Sequence, residues 1–189
     1  MRQLASVGCL ALATCASGTQ DSPVMSPIAL RNAGFESAVR PGDRCPVEWS
    51  CTMHSNPDAF RFALDASNAA EGRQSLCIER VAPEPWAVIS QSVPARALRG
   101  HKLRYSIAMR GERLLGPGAG PWLMVIGAGG MITHEERVMR ADGTWQRASI
   151  ELVVPAQADA IELGATLQGA GRACIDDVRL EASGAPAHG

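Results

Sequence analysis

Residues 102–111, KLRYSIAMRG, alternate strictly: Leu103, Tyr105, Ile107 and Met109 share one face, and Arg104, Ser106, Ala108 and Arg110 the other. A period of two puts successive side chains on opposite sides of an extended chain, so this segment reads as a half-buried strand. The same period returns at 144–155, where Ala148, Ile150, Leu152 and Val154 oppose Arg147, Ser149 and Glu151. It returns again at 160–169, with Ile161, Leu163, Ala165 and Leu167 on the apolar side. Further short apolar segments at 28–37, 60–67, 74–81, 86–94, 121–129 and 173–181 are separated by Gly, Pro, Asn and Asp. No long helical period lies between them, which argues against strand–helix–strand units. The pattern is that of an all-β, two-sheet antiparallel sandwich.

The last of these segments, ACIDDVRLE at 173–181, breaks the rule once. Ile175 and Val178 are three residues apart, so strict alternation fails across Asp176 and Asp177. A β-bulge at the paired aspartates restores the register and turns the second carboxylate toward solvent. GAGG at 127–130 reads as a turn, and MITHEER after it as a polar loop.

The 18 basic and 19 acidic residues nearly balance, so no global charge points to nucleic acid. The chain opens with Arg2 and an apolar run from Leu4 to Ala13, too short to span a bilayer and typical of an export signal. Leu12-Ala13-Thr14-Cys15 resembles a bacterial lipobox, which implies that Cys15 carries a lipid that anchors the protein to a membrane. Ala16 follows the anchor where an Asp would signal inner-membrane retention, so the expected address is the cell envelope, anchored in the outer membrane if the cell is Gram-negative and otherwise secreted or periplasmic. The expected organisation is a leader at 1–15, a flexible tether at 16–27, one domain at 28–182 and a small polar tail at 183–189. Export also permits disulfides. Outside the leader, Cys45, Cys51, Cys77 and Cys174 allow three pairings. Cys45–Cys51 closes a short loop around PVEWS, which leaves Cys77–Cys174 to tie an early strand to the last. The tight Cys/His spacing of a zinc site is absent.

LRNAGFE, EGRQSLCI, SQSVPARALRGHKLRYSIAMRG and the run from DGTWQR to CIDDVRLE resemble, in that order, the galactose-binding-like jelly rolls. Carbohydrate-binding modules of the family 4, 9 and 22 type belong there, as do related non-catalytic domains appended to bacterial enzymes. The resemblance spans residues 28–182. It implies a jelly roll, a non-catalytic role with carbohydrate as the partner, and one structural calcium ion held by Glu36, the 65–71 loop and Asp176. Carboxylate and carbonyl oxygens suit such a hard cation. The alternatives are an envelope lipoprotein that docks another protein and a small polysaccharide-active enzyme. For the enzyme, G-x-S-x-G, H-E-x-x-H and the P-loop are all missing. Two carboxylates across a cleft, or a histidine beside Tyr105, would favour it.

Sugar recognition needs flat aromatic faces together with planar polar groups. Trp86 and Trp122 are the aromatic candidates. Arg104, Arg110 and Arg147 are the polar ones, and sharing a face they would suit an anionic glycan. Trp49 is expected at the rim of the Cys45–Cys51 loop, and Trp145 in the packing of the sandwich edge.

Overall fold

A computed structural model describes residues 24–140 and 143–184. The leader, Cys15, most of the tether and most of the tail lie outside the described residues. Among the described residues, nine strands run β1 (Met25–Ile28), β2 (Ser50–Met53), β3 (Phe60–Asp65), β4 (Ser75–Arg80), β5 (Trp86–Pro94), β6 (Lys102–Gly127), β7 (Gly130–Glu136), β8 (Gln146–Val153) and β9 (Ala160–Ser183). All named pairings are antiparallel, and they join the strands into one continuous sheet curled into two layers. This is the expected jelly-roll β-sandwich.

The curl comes from β6 and β9, which pass through both layers side by side. Their first-layer halves pair Gly118–Ile126 with Ala160–Gln168, flanked by β5 and β2 on one side and β7 on the other. Their second-layer halves pair Leu103–Glu112 with Arg172–Ala182, flanked by β4, β3 and β1 on one side and β8 on the other. At the corner between the layers the β6–β9 register shifts twice around Leu115. Gly169 and Gly171 stand there at φ 92° and 114°. A Cβ on Gly169 would lie 2.2 Å from the Leu115 carbonyl oxygen, and one on Gly171 would lie 2.6 Å from that of Arg113. Only glycine permits that backbone and that approach. The sequence pattern divides each long strand in two here, because a corner and a turn use the same residues.

Between the layers the alternating positions meet as expected. Leu103, Tyr105, Ile107, Ile161, Leu163, Ala165 and Leu167 are fully buried, with Leu76, Ile78, Ile89, Leu123 and Ile175. Phe35 is fully buried and packs on Trp49, ring centroids 5.0 Å apart. Trp49 is therefore a core residue and not a rim residue; its indole N–H donates to the Asn32 carbonyl. Residues 31–34 form a turn, not the continuation of a strand, and β1 begins within the segment expected to be tether. β2 and β7 were not anticipated. β7 replaces the expected polar loop after the 128–129 turn.

The bulge is present. Ser106 faces Arg179 and Ala108 faces Asp176, so Asp177 and Val178 together oppose Ile107. Asp177 adopts φ 45°, and both Ile175 and Val178 reach the core. The two predicted disulfides are also present. Cys45–Cys51 closes the short loop, and Cys77–Cys174 joins directly opposed residues of β4 and β9 with Cα atoms 3.9 Å apart.

Candidate functional site

The outer face of the first layer carries a groove of about 480 Å³. Register builds it from alternate residues of five strands, whose intervening neighbours fill the core. Thr52 of β2 lies beside Val88 of β5, which faces Thr166 of β9, which faces Gly120 of β6. One row further, Ser90 faces Gly164, Gly164 faces Trp122, and Trp122 faces Glu136 of β7. In the next row Glu162 faces Met124, and Met124 faces His134. At the other end Trp86 faces Gln168.

Two features shape the floor. Cβ atoms at Gly120 and Gly164 would stand 1.6 and 1.8 Å from the carbonyl oxygens of Arg137 and Ile89, so both positions require glycine for close strand approach. Their lack of side chains leaves the middle of the groove low. From the core side, Tyr105 donates a 2.5 Å hydrogen bond to the Gly164 carbonyl and fixes the floor from beneath. Burial pushes the Tyr105 phenol above its ordinary range, which keeps it a neutral donor. Tyr105 is fully enclosed in the core and cannot reach a ligand, so the histidine–tyrosine pair considered for an enzyme does not form.

The walls are aromatic. Trp86 and Trp122 are half-buried on opposite flanks of β9. Their partners on β9 are four residues apart, roughly 13 Å along the strand. A single sugar ring cannot touch both. Each tryptophan has a supporting histidine. His134 lies 5.8 Å from Trp122, and His54 stands edge-on to Trp86 at 5.8 Å. His54 is in turn 3.2 Å from Glu84, a buried carboxylate that also accepts from the Ser55 backbone N–H and hydroxyl. Burial pushes the Glu84 carboxyl up, and these donors more than reverse it, leaving it below its ordinary range. Gln168 donates to Glu136 at 2.7 Å across the groove.

Of the five predicted ligand residues, the structure brings Trp86 and Trp122 together in this groove and places Arg104, Arg110 and Arg147 elsewhere. The three arginines lie on the outer face of the second layer, because β6 turns the corner between Arg110 and Trp122. All three are ion-paired: Arg104 with Glu151, Arg110 with Glu112, and Arg147 with Asp177. The expected single face combining tryptophans with arginines is therefore corrected. Trp145 is half-buried just before the edge strand β8, with the Arg110 guanidinium 5.7 Å over its ring and its N–H donating to Asn68 Oδ1. Thr52, Ser90, Glu162, Thr166 and Gln168 were not singled out from the sequence, and Glu136 was read as part of a polar loop. For β9 the signal was available: once Ile161, Leu163, Ala165 and Leu167 point inward, Glu162, Thr166 and Gln168 must point outward.

Glu36 and Asp176 were expected to hold calcium. Asp176 is fully buried, and its Oδ2 accepts from the backbone N–H groups of Ala70 and Glu71, both at 2.9 Å, while Oδ1 accepts from Asp177 N–H at 2.7 Å. Glu36 accepts from Arg73 N–H at 2.7 Å, Gln74 N–H at 3.3 Å and the Arg73 guanidinium at 3.1 Å. These are donors aimed at carboxylates, where a cation needs oxygens. The residues present do not fit the ion. N–H groups fasten the 70–74 loop to both carboxylates in its place. Burial raises the Asp176 carboxyl above its ordinary range, and its three N–H donors do not reverse this. Asp177 does not face solvent as expected but pairs with Arg147 and Arg179. Burial raises its carboxyl, and the Arg179 hydrogen bond with the two arginine charges more than reverses it, holding the group low. Among the described residues, the one close cluster of metal-ligand types is Asp65 with Cys77 and Cys174, whose sulfurs are already bonded to each other.

No protein-family model matches the sequence, and a search of curated proteins returned no match. Solved structures do share the fold. The C-terminal family 22 carbohydrate binding module of Clostridium thermocellum Xyn10B is 16% identical with a TM-score of 0.56, over 82% of this chain and 94% of that one. The xylan-binding domain of Paenibacillus barcinonensis Xyn10C is 15% identical with a TM-score of 0.55, over 82% and 94%. The enzymatically active domain of bacteriophage CBA120 tailspike protein 4 is 11% identical with a TM-score of 0.61, over 81% of this chain, which spans 21% of the tailspike chain. At these identities the likeness is one of fold alone, an antiparallel jelly-roll β-sandwich.

Proposed function

We propose that this protein is an exported, lipid-anchored, non-catalytic module that binds a polysaccharide chain across the groove over β5, β9 and β6. One observation carries the reading: Trp86 and Trp122 stand half-buried on either side of a glycine floor, with hydroxyl, amide and carboxylate groups between them. Indole faces stack on the C–H faces of sugar rings, and the polar groups between them meet hydroxyls. The separation of the two tryptophans along β9 calls for an oligosaccharide. Structural neighbours support the reading. Among them are a domain described as xylan-binding and a module solved with β-1,4-galactotriose. Xylan and β-1,4-galactan are therefore the first ligands to try. Anchoring rests on the Cys15 lipobox alone.

Affinity electrophoresis of the purified protein in gels containing xylan or β-1,4-galactan tests the proposal. Retardation is expected on at least one polymer, and Trp86→Ala and Trp122→Ala should each abolish it. No reducing ends should be released, although Glu136 and Glu162 share the groove. Wild-type migration unchanged by either polymer would contradict glycan binding and favour the protein-docking alternative.

A further inference from the structure

We infer that the groove reads the charge of its glycan: it takes a chain carrying free amino groups in preference to a neutral one and refuses a uronate-bearing one, with Glu162 making the distinction. This rests on the glycan-binding reading of the groove. The lining holds two carboxylates, Glu136 and Glu162, and neither lysine nor arginine; His134 is its one residue able to carry positive charge. That is unusual for this molecule. Its arginines elsewhere hold acids in pairs such as Arg31–Glu48, Arg73–Glu36, Arg96–Asp159, Arg104–Glu151 and Arg179–Asp177. Glu162 is half-buried and, among the described residues, has no hydrogen-bond or ion-pair partner.

Its surroundings sharpen the effect. On β9, Glu162 lies between Ser92 of β5 and Met124 of β6, one row from Trp122. Glu162 is half-buried beside Met124 and not fully open to solvent, so a charge there attracts its opposite and repels its like more strongly than at an open surface. An ammonium group on a sugar bound in this row would donate a charge-assisted hydrogen bond to Glu162. The faces of Trp86 and Trp122 add their own attraction for a cation. A carboxylate on the sugar would instead face Glu162 and Glu136, with no lysine or arginine in the lining to pair it. This reverses the anionic preference that the sequence suggested, since the arginines behind that expectation lie on the other layer.

The test is calorimetric titration of the purified protein with three hexasaccharides: deacetylated chitohexaose, its fully N-acetylated form, and hexagalacturonate. Xylohexaose and β-1,4-galactotriose serve as neutral references. Deacetylated chitohexaose should bind about tenfold tighter than the acetylated form, the gain of one charge-assisted contact. Hexagalacturonate should not bind. Glu162→Gln should reduce the tenfold preference to near parity, and a wild-type melting temperature and near-UV circular dichroism certify its fold. Several results would overturn the inference: equal affinity for the two chito-oligomers, no binding of either by a protein that binds a neutral reference, binding of hexagalacturonate, or a preference unchanged in Glu162→Gln. If none of the five saccharides binds, the glycan reading fails and takes this inference with it. Binding of a neutral reference without charge preference removes this inference alone.

Discussion

Removing the Cys77–Cys174 bond should cost far more stability than removing Cys45–Cys51, and the difference follows from chain length. The first bond spans a sequence separation of 97 residues and the second a separation of 6. Loop-closure entropy withheld from the unfolded chain then comes to about 4.7 kcal/mol for the long loop and about 2.2 kcal/mol for the short one at 25 °C. The native surroundings widen the gap. Cys77 and Cys174 are buried, and the Arg110 guanidinium lies 3.7 Å from the Cys174 sulfur, a contact that alanine removes. Guanidinium unfolding of the oxidised double variants Cys77→Ala/Cys174→Ala and Cys45→Ala/Cys51→Ala measures both losses. The long-loop variant should also melt about 9–19 °C below wild type, at about 2–4 °C per kcal/mol for a domain of this size. A short-loop variant that loses as much as the long-loop one would refute the reasoning.

The paired aspartates should separate cleanly. Asp176→Ala orphans the N–H groups of Ala70, Glu71 and Asp177 and should cost about 3–5 kcal/mol, whereas Asp177→Asn loses rim ion pairs and should cost about 1 kcal/mol. Because Asp177 is held below its ordinary range, its contribution is present above the unfolded carboxylate pKa of about 3.9 and lost as pH falls through the folded value. The stability gap between wild type and Asp177→Asn should thus close in acid. Asp176 has the opposite sign: its carboxyl is raised, so the native state favours the proton, and the cost of its ionised form appears as pH rises from about 3.9 through the folded value. Melting temperature should be the same with added calcium and with chelator; a calcium-dependent rise would restore the metal site. Cys15→Ala should release the protein from membranes in a bacterial host, read by fractionation and palmitate labelling, and retention would remove the lipid anchor.

The layers were legible where one face of a strand is apolar and the other polar. Leu103 to Met109 and Ile161 to Leu167 point inward as alternation requires, and the spacing of Ile175 and Val178 located the bulge. What alternation could not show is which outward face matters. Trp122 lies in an apolar run, PWLMVIG, whose two faces look alike in sequence; in the fold Leu123 and Val125 enter the core while Trp122 and Met124 line the groove. The arginines misled for a related reason. Arg104 and Arg110 share a strand with Trp122, and nothing in the one-dimensional pattern says that β6 turns a corner near Leu115 and carries them to the other layer. β7 was missed because an edge strand with exposed Met131, Ile132, His134 and Glu135 has the composition of a loop. The calcium expectation came from matching carboxylate positions. Its correction came from the backbone N–H groups that point at them, which no sequence records.

The account stands or falls on what occupies the groove. Amide chemical-shift mapping of the purified protein, titrated with xylohexaose and with β-1,4-galactotriose, addresses this most directly. The account predicts saturable shifts at Gly120, Trp122, Gly164, Thr166 and Gln168 and at the indole N–H groups of Trp86 and Trp122, with those of Trp49 and Trp145 unmoved. Shifts confined to the 68–74 loop, to the Cys45–Cys51 loop or to the arginine-bearing face of the second layer would contradict it.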